Sequence, residues 1–287
     1  MDANTGERVS IKFFGQFLIE RGEIDAGHLR EALELMRARN LALGDLAIVA
    51  GLLAPEDAER LNAEQREVDR PFGELAVERG LLSRELLEQL VAHQRETRLP
   101  LGEALVALGH LPATRLGALL DQFKIDQSPF VTGQRSLPRE LVGVRIAALA
   151  LDLVPRFCMR VARLHVKLAP ARPHGAALGL PHRVTLAVRG PQALELGLAA
   201  DRELASALAA GIGGAAKPPL DGARIDEGLG EFLGLLVGNA VAALEREGLF
   251  ARVEPIRHGA LPGAGHAFDW IATNGRGALI VSPSALG

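Results

Sequence analysis

The chain is poor in the groups that many enzymes and secreted proteins depend on. Among its 287 residues there is one cysteine, Cys158, set in an apolar stretch. A lone thiol excludes an internal disulfide framework and fits a reducing, cytoplasmic compartment. The first residues, Met-Asp-Ala-Asn-Thr-Gly-Glu, offer no basic n-region and no apolar h-region, so no secretory signal is expected. No uncharged run reaches about 18 apolar residues, so no membrane span is expected. The eight histidines are scattered, and His165, His174 and His182 come with no ligand spacing or carboxylate cluster. No metal site is therefore expected. Gly211-Ile-Gly-Gly looks like a phosphate loop at first sight. However, Lys217 is followed by Pro218 and the stretch follows a helical pattern, so it reads as a helix-ending loop. No Gly-x-Ser-x-Gly elbow or Cys–His pairing is present to supply a nucleophile. The chain is expected to bind no cofactor of its own.

Charge adds a further exclusion. Residues 1–126 hold 15 Lys+Arg and 22 Asp+Glu, a balance of −7; residues 127–287 hold 17 and 13, a balance of +4. The asymmetry fits two domains that dock on each other, and it provides no basic stripe for nucleic acid. The length also suits two domains of ordinary size.

What is present is a repeat. Apolar–glycine pairs begin at Phe14-Gly15, Leu43-Gly44, Phe72-Gly73 and Leu101-Gly102, a constant step of 29 in the numbering. A second glycine follows each first one at the same interval, at Gly22, Gly51, Gly80 and Gly109. A period of this size means stacked supersecondary units. Apolar positions keep register within each repeat, as in Phe17, Leu46, Leu75 and Ala104, and the first segment has room for only two helical turns. The second glycine closes that segment as a left-handed cap. Asp25 and Ser83 stand where the next helix needs an N-cap, and Pro55 and Pro112 fit an early helical position. Second helices are expected near 26–38, 55–67, 84–97 and 113–123.

Segments such as FGQFLIERGEIDAGHLREAL and FGELAVERGLLSRELLEQLVAHQ resemble the MshEN family, found at the N-termini of type II secretion and pilus ATPases. The resemblance covers roughly residues 13–120. It implies a cyclic di-GMP ligand, with the backbone from the apolar–Gly pair close to a guanine and an arginine just before the pair stacked on the base. The implied ligand-binding residues are Phe14, Gly15, Leu43, Gly44, Arg70, Phe72, Gly73, Leu101 and Gly102. The residues directly before the four pairs are Phe13, Ala42, Pro71 and Pro100, so the arginine is missing; Arg70 lies one position early, and Lys12 cannot copy a guanidinium. Gln65 and Gln94 match the ends of the family motif. A structural or protein-docking role is preferred for the repeats, with cyclic di-GMP as the alternative and Arg70 or Arg98 as the residues to look for beside Gly73 or Gly102.

Residues 124–138 read as a linker between a repeat domain, 1–123, and a second domain, 139–287. The second domain opens with a helix candidate, PRELVGVRIAALALDLVPRFC, that has a proline near each end. Strands are expected at Val161–Leu168, Arg183–Val188, Leu194–Leu198, Arg252–Ile256, Phe268–Ile271 and Gly277–Val281, with Asn274-Gly275 as the last turn. Helices over 201–212 and 224–248 complete an α+β set. The long helix carries Gly230, Gly234 and Gly238 at a spacing of four. Each interior glycine costs about 1 kcal/mol relative to alanine. Close packing of this stripe on the sheet is the preferred reading.

This helix and the upstream VTLAVRGPQALELGLAADRELASALAAGIGG resemble the CheX/CheC/FliY family of receiver phosphatases, in the CheX branch, over about residues 139–287. In that family the helix carries an acid, an asparagine three residues later, and then Gly-Asn. Glu231 matches the acid and Gly238-Asn239 the Gly-Asn; the asparagine position is Gly234. The resemblance implies that Glu231 docks a receiver whose own Mg²⁺ and phosphoaspartate meet a water held by the amide. Glycine has no amide, and Asn239 lies roughly 140° around the helix from Gly234. A solvated or capping carboxylate is the plain alternative for Glu231.

The expectation is therefore an α+β two-domain protein, all-α helical-hairpin repeats followed by an α+β CheX-like domain. Its expected role is a signal-transduction adaptor that docks a response-regulator receiver or another signalling protein. The alternatives are a chemotaxis-like phosphatase of two-component signalling and a cyclic di-GMP effector. The resemblance also implies a homodimer.

Overall fold

A computed structural model describes residues 11–128, 137–174, 179–213 and 220–283. Most of the expected linker, and Lys217-Pro218, lie outside these residues. The chain forms two compact units that divide between Val131 and Thr132, with the short segment Arg66–Asp69 grouped with the second. The architecture is α+β: helices alone in the first unit, helices on an antiparallel sheet in the second.

In the helical unit each repeat is a short helix followed by a longer one. They are α1 Phe14–Glu20 and α2 Ala26–Arg39, α3 Leu43–Val49 and α4 Pro55–Glu67, α5 Phe72–Glu78 and α6 Arg84–Thr97, and α7 Leu101–Ala107 and α8 Ala113–Gln127. The last helix continues past 123, so residues 124–127 are helical rather than linker. Gly22, Gly51 and Gly80 all have φ +68° and Gly109 has φ +75°. Each forms the turn of a Schellman motif. In the first, Gly22 N–H donates to Ile19 O at 2.9 Å and Glu23 N–H to Leu18 O at 3.0 Å. The other three repeat the pattern at Gly51, Gly80 and Gly109. These bonds satisfy carbonyls that a two-turn helix would otherwise leave open. Asp25 and Ser83 cap α2 and α6 by accepting from His28 N–H and Leu86 N–H. Pro55 opens α4, whereas Pro112 sits one step earlier than expected, as the N-cap of α8.

The first glycine of each repeat has a packing role. A β-carbon at Gly15 would lie 2.6 Å from Leu29 Cδ1, and Gly73 and Gly102 face Leu87 and Leu116 still more closely. Leu29, Leu87 and Leu116 hold the same place in their repeats, in the first turn of the longer helix. In the second repeat that position is Ala58, and Phe72 of the third repeat fills the place, its Cζ 2.9 Å from where a Gly44 β-carbon would be.

The repeats do not stack in simple order. Their cores pair the second repeat with the third (Ala47, Leu61, Phe72, Leu75, Leu90) and the first with the fourth (Phe17, Leu18, Ala32, Leu105, Leu119). The closure of the first on the fourth is also polar: Lys12 N–H donates to Gln127 Oε1 at 2.9 Å, and His28 stacks on His110 with centroids 4.2 Å apart. The chain just before each apolar–Gly pair is held by a side-chain amide in every repeat. Gln127 holds Lys12, Gln94 donates to Leu41 O, Gln65 donates to Arg70 O, and Asn40 both donates to and accepts from Leu99. The amides fix the chain where it enters the short helix.

The sheet unit begins with a 3-10 turn, Arg139–Leu141, and α9, Arg145–Ala162. Pro155 lies inside α9 rather than at its end, and the helix takes in Val161 and Ala162, which had been expected as strand. Its amphipathic stripe (Leu151, Val154, Phe157, Cys158, Val161) carries it onward until Arg163 turns left-handed at φ 54°. Strand β1 is only Val166–Leu168; β2 is Arg172–Pro173, β3 His182–Arg189 and β4 Leu194–Ala200. After α10, Arg202–Ile212, and α11, Gly222–Arg246, come β5 Arg252–Val253, β6 Arg257–His258, β7 His266–Ala272 and β8 Gly275–Pro283. The sheet order is β1-β7-β8-β4-β3-β5, all antiparallel, with β2 on β7 and β6 on β3. Ala272 pairs with Gly275, so the last hairpin turns on Thr273-Asn274, one residue earlier than expected.

One sheet face (Val184, Leu186, Leu196, Leu198, Phe268, Trp270, Leu279, Val281) packs on α9, α10 and α11. Burial of each such large side chain contributes about 1.5–3 kcal/mol. The other face is built of small residues under a loop: Pro262 presses on Gly197, and Leu261 joins Ala199, Ala267, Ala278 and Ile280. At the far end Arg145, at the start of α9, holds Glu247, just past α11, through Nε–Oε2 at 3.2 Å and a second bond from Nη2 to Oε1.

Two tests follow from this packing. Gly51→Ala places a β-carbon in open space but in left-handed backbone, and should cost about 1–2 kcal/mol in urea unfolding of the full chain; Gly51→Asn should cost less. Gly73→Ala should cost roughly 1–3 kcal/mol through overpacking against Leu87. Indistinguishable unfolding curves would contradict both assignments. The second test uses pH. The hydrogen bond from Arg145, together with its charge, holds the Glu247 carboxyl below its ordinary value. Its contribution is therefore fully present above the unfolded carboxylate range, near pH 4.3, and is lost as pH falls through the lower folded value. Glu247→Gln should leave a stability gap above about pH 4.3 that closes in more acid solution; a gap constant with pH would refute the pairing.

Candidate functional site

The residues singled out on the long helix all lie on α11. Asp221 caps it by accepting from Arg224 N–H at 2.9 Å. Among the described residues, α11 alone is long and apolar enough to cross a membrane. Ile225, Leu229, Phe232, Leu233, Leu236, Val237, Ala240 and Leu244 bury one face of it in the sheet unit, as in a core helix. The opposite face runs through Glu227, Glu231, Gly234, Gly238 and Ala242, at helical spacing.

Of the glycine stripe, expected to pack closely on the sheet, only Gly230 does so. Gly230 is buried, with His258 Cε1 3.1 Å and Ile256 Cγ2 3.2 Å from where its β-carbon would stand. Among the described residues, Ile256 Cδ1 alone comes near Gly234, at 3.7 Å, and nothing lies within 4 Å of a β-carbon at Gly238. The close helix contact is at Gly228, which the sequence reading passed over. A β-carbon there would lie 2.5 Å from Ala209 Cβ and 2.6 Å from Ala209 Cα on α10. Gly211, inside the last turn of α10, likewise lets that helix meet Val161 O of α9. Gly228 and Gly211 are the packing glycines; Gly234 and Gly238 lie on the outer face.

That outer face carries small side chains, with Glu67 and Val68 of the short segment grouped with this unit along one side. Glu231 is exposed. Beyond it, positions 234, 238 and 242 carry nothing larger than a methyl group, and Ile212 and Leu235 border the track. The Asn239 carboxamide is fully engaged with backbone: Nδ2 donates to Leu235 O at 3.0 Å and to Glu67 O at 3.1 Å, and Oδ1 accepts from Asp69 N–H at 2.9 Å, in the short segment grouped with this unit. No amide stands at Gly234. Toward the helix start, His182 on β3 and Asp226 on α11 meet at 2.7 Å, Nδ1 to Oδ1, with the His182 side chain almost fully enclosed. This pair fixes the first turns of α11 to the sheet. Among the described residues no group of three or more His, Cys, Asp or Glu side chains could hold a metal ion.

In the repeats, Gly15, Gly44, Gly73 and Gly102 are buried against side chains of their own unit. Phe72 is buried, and Phe14, Leu43 and Leu101 pack at the margins of the repeat cores. The Arg70 guanidinium is paired with Glu78 at the end of α5, and Arg98 caps α6 as an exposed residue. The repeat cores divide the four apolar–Gly pairs two and two. The role of Gln65 and Gln94 as clamps on backbone carbonyls was not read from the sequence, because Asn40 and Gln127 do the same work out of the register of the repeat.

No family model and no curated protein matches the chain. Among solved structures it is similar to the chemotaxis protein CheX from Desulfovibrio desulfuricans, at 12% identity over 48% of this chain and 99% of that one, with a TM-score of 0.39. It is similar to a CheC-like superfamily protein from Shewanella sp. PV-4, at 14% identity over 52% and 100% of the two chains, TM-score 0.41. It is also similar to the CheX–CheY–BeF3–Mg²⁺ complex from Borrelia burgdorferi, at 12% identity over 48% and 97%, TM-score 0.36.

The two classes of glycine respond oppositely to alanine. Gly238→Ala should raise stability by about 1 kcal/mol, the helix-propensity gain, because nothing opposes the new methyl group. Gly228→Ala should lower it by about 1–3 kcal/mol, because the atoms in the way include Ala209 backbone. Melting temperatures of the two variants check this; a shift of the same sign in both would refute the distinction.

Proposed function

We propose that the protein is a signalling adaptor whose sheet unit docks a response-regulator receiver on the outer face of α11 without removing its phosphoryl group. One observation carries this reading. Gly238 lowers helix stability by about 1 kcal/mol and receives no packing within the molecule in return. A helix face of small side chains beside an exposed carboxylate, Glu231, lets a partner come close at Gly238 while the acid meets a basic group. The CheX-like arrangement of Glu231 and Gly238-Asn239 supports the same surface. Gly234 has no amide, and that of Asn239 is taken up by the backbone of Leu235, Glu67 and Asp69, so none is left to orient a water. The Mg²⁺ of such an encounter would belong to the receiver.

The test titrates the full chain against receiver domains from the same organism, each with and without beryllofluoride. At least one activated receiver should bind, and Glu231→Arg or Gly238→Leu should weaken it at least about tenfold, or 1.4 kcal/mol. The phosphorylated receiver should lose phosphate no faster with the protein than without it. Gly234→Asn should then confer hydrolysis, since the position is open. Faster hydrolysis by the natural chain, abolished in Glu231→Ala, would replace the adaptor with a working phosphatase. Binding by no receiver would overturn both readings. A cyclic di-GMP effector is the second proposal, supported by the family-like apolar–Gly pairs, although Arg70 is paired with Glu78; calorimetric titration into the full chain tests it, and no detectable heat would sink it.

A further inference from the structure

The four repeats share one backbone plan, so equivalent positions can be compared directly. The first and fourth repeats meet at a cleft between α1 and α8, and the second and third at a cleft between α3 and α6. The first cleft is roofed. Arg21 lies 4.6 Å over the Phe17 ring and donates to Gln122 Oε1 at 2.9 Å, and Arg115 pairs with Glu23. Long charged side chains of this kind cover apolar surface with their stems. In the second cleft every roofing group is replaced. Ala50 stands for Arg21, His93 for Gln122, Leu86 for Arg115, Leu52 for Glu23 and Val49 for Glu20. An open apolar groove of about 360 Å³ remains, floored by Leu46 and Leu90, with Val49 74% exposed at its rim.

Shape and charge point to one occupant. Leu46 and Val49 of α3 and Ala50, its C-cap, form an i, i+3, i+4 stripe; Leu86, Gln89, Leu90 and His93 form an i, i+3, i+4, i+7 stripe on α6. Two stripes facing one groove, each about two turns long or less, suit a third helix laid between them. Residues 41–98 hold 7 Lys+Arg and 12 Asp+Glu, a balance of −5. Exposed Glu85 and Glu88 stand one position before Leu86 and Gln89, on the flank of the stripe. We infer that this groove docks an amphipathic helix of a partner protein, apolar over two turns and flanked by lysine or arginine.

The test displays a library of binary-patterned helical peptides on phage, half with lysine flanks and half with glutamate flanks, and selects on the full chain. Lysine-flanked peptides should be enriched. Synthetic versions should bind, and Val49→Asp should weaken them at least tenfold. Val49 is exposed, so this variant should keep the natural melting temperature. Glu20→Ala, at the matching place in the roofed cleft, should leave binding unchanged. Enrichment of neither class or of glutamate flanks, or binding indifferent to Val49→Asp, would overturn the proposal. So would a dimer in light scattering that Val49→Asp dissociates, since the occupant would then be a second copy of the chain.

Discussion

Both units depend on helices approaching one another more closely than a β-carbon allows. In the repeats the first glycine of each short helix receives a leucine from the longer helix that follows, or, at Gly44, the ring of Phe72. In the sheet unit Gly228 receives Ala209, and Gly211 receives the carbonyl of Val161. Dispersion falls off over fractions of an ångström, so a shorter separation brings many more atoms into contact at once. This is how an interior glycine, unfavourable in a helix taken alone, stabilises a helix pair. The two-turn helices could not stand by themselves; their Schellman turns and their contacts with the longer helices hold them.

The same reasoning separates glycines that pack from glycines that do not. Gly228 and Gly238 are alike in sequence, each an interior residue of α11, and opposite in surroundings. Gly228 is buried on a neighbouring backbone, while Gly238 faces open space. Packing among the described residues accounts for Gly228 but not for Gly238, which lies on the outer face next to Gly234 and an exposed carboxylate. The enclosed His182–Asp226 contact fixes one end of that helix, and the Arg145–Glu247 pair ties the residue just beyond its other end to α9. The face proposed for docking thus lies on a helix held at both ends.

Much of the helical unit was legible because its signals are local. A second glycine two turns after the first specifies a left-handed turn in every repeat, and the four turns have nearly equal φ. Pairing was not legible. A period identifies the repeats but not which repeat each will meet, and the closure of the first on the fourth rests on contacts such as Lys12 with Gln127 that are far apart in the chain. The strands of the sheet centre were legible as short β-like runs at Arg183–Val188 and Leu194–Leu198. Val161 misled because a β-branched residue at the end of an amphipathic helix looks like the start of a strand. At α11 a regular spacing of Gly230, Gly234 and Gly238 drew attention from Gly228, which has no partner in that series. Spacing shows which residues share a face; it does not show what the face meets.

The repeats show what such ambiguity permits. Two clefts are built on one plan, with the same capping turns and the same packed glycine, yet one is closed by Arg21, Glu23 and Arg115 and the other is lined by Ala50, Leu52 and Leu86. The core positions beneath them hardly differ: Leu119 and Leu90 are both buried. Packing constrains the floor, because a change of one methylene there is felt throughout the core. The rim contributes little to folding, since exposed ion pairs are worth about 0–1 kcal/mol each. Rim residues are therefore free to diverge, and in the second cleft they diverge toward apolar side chains, against the solubility of the surface. Stability of the repeat does not require that choice, so the cause is to be sought in what the cleft contacts.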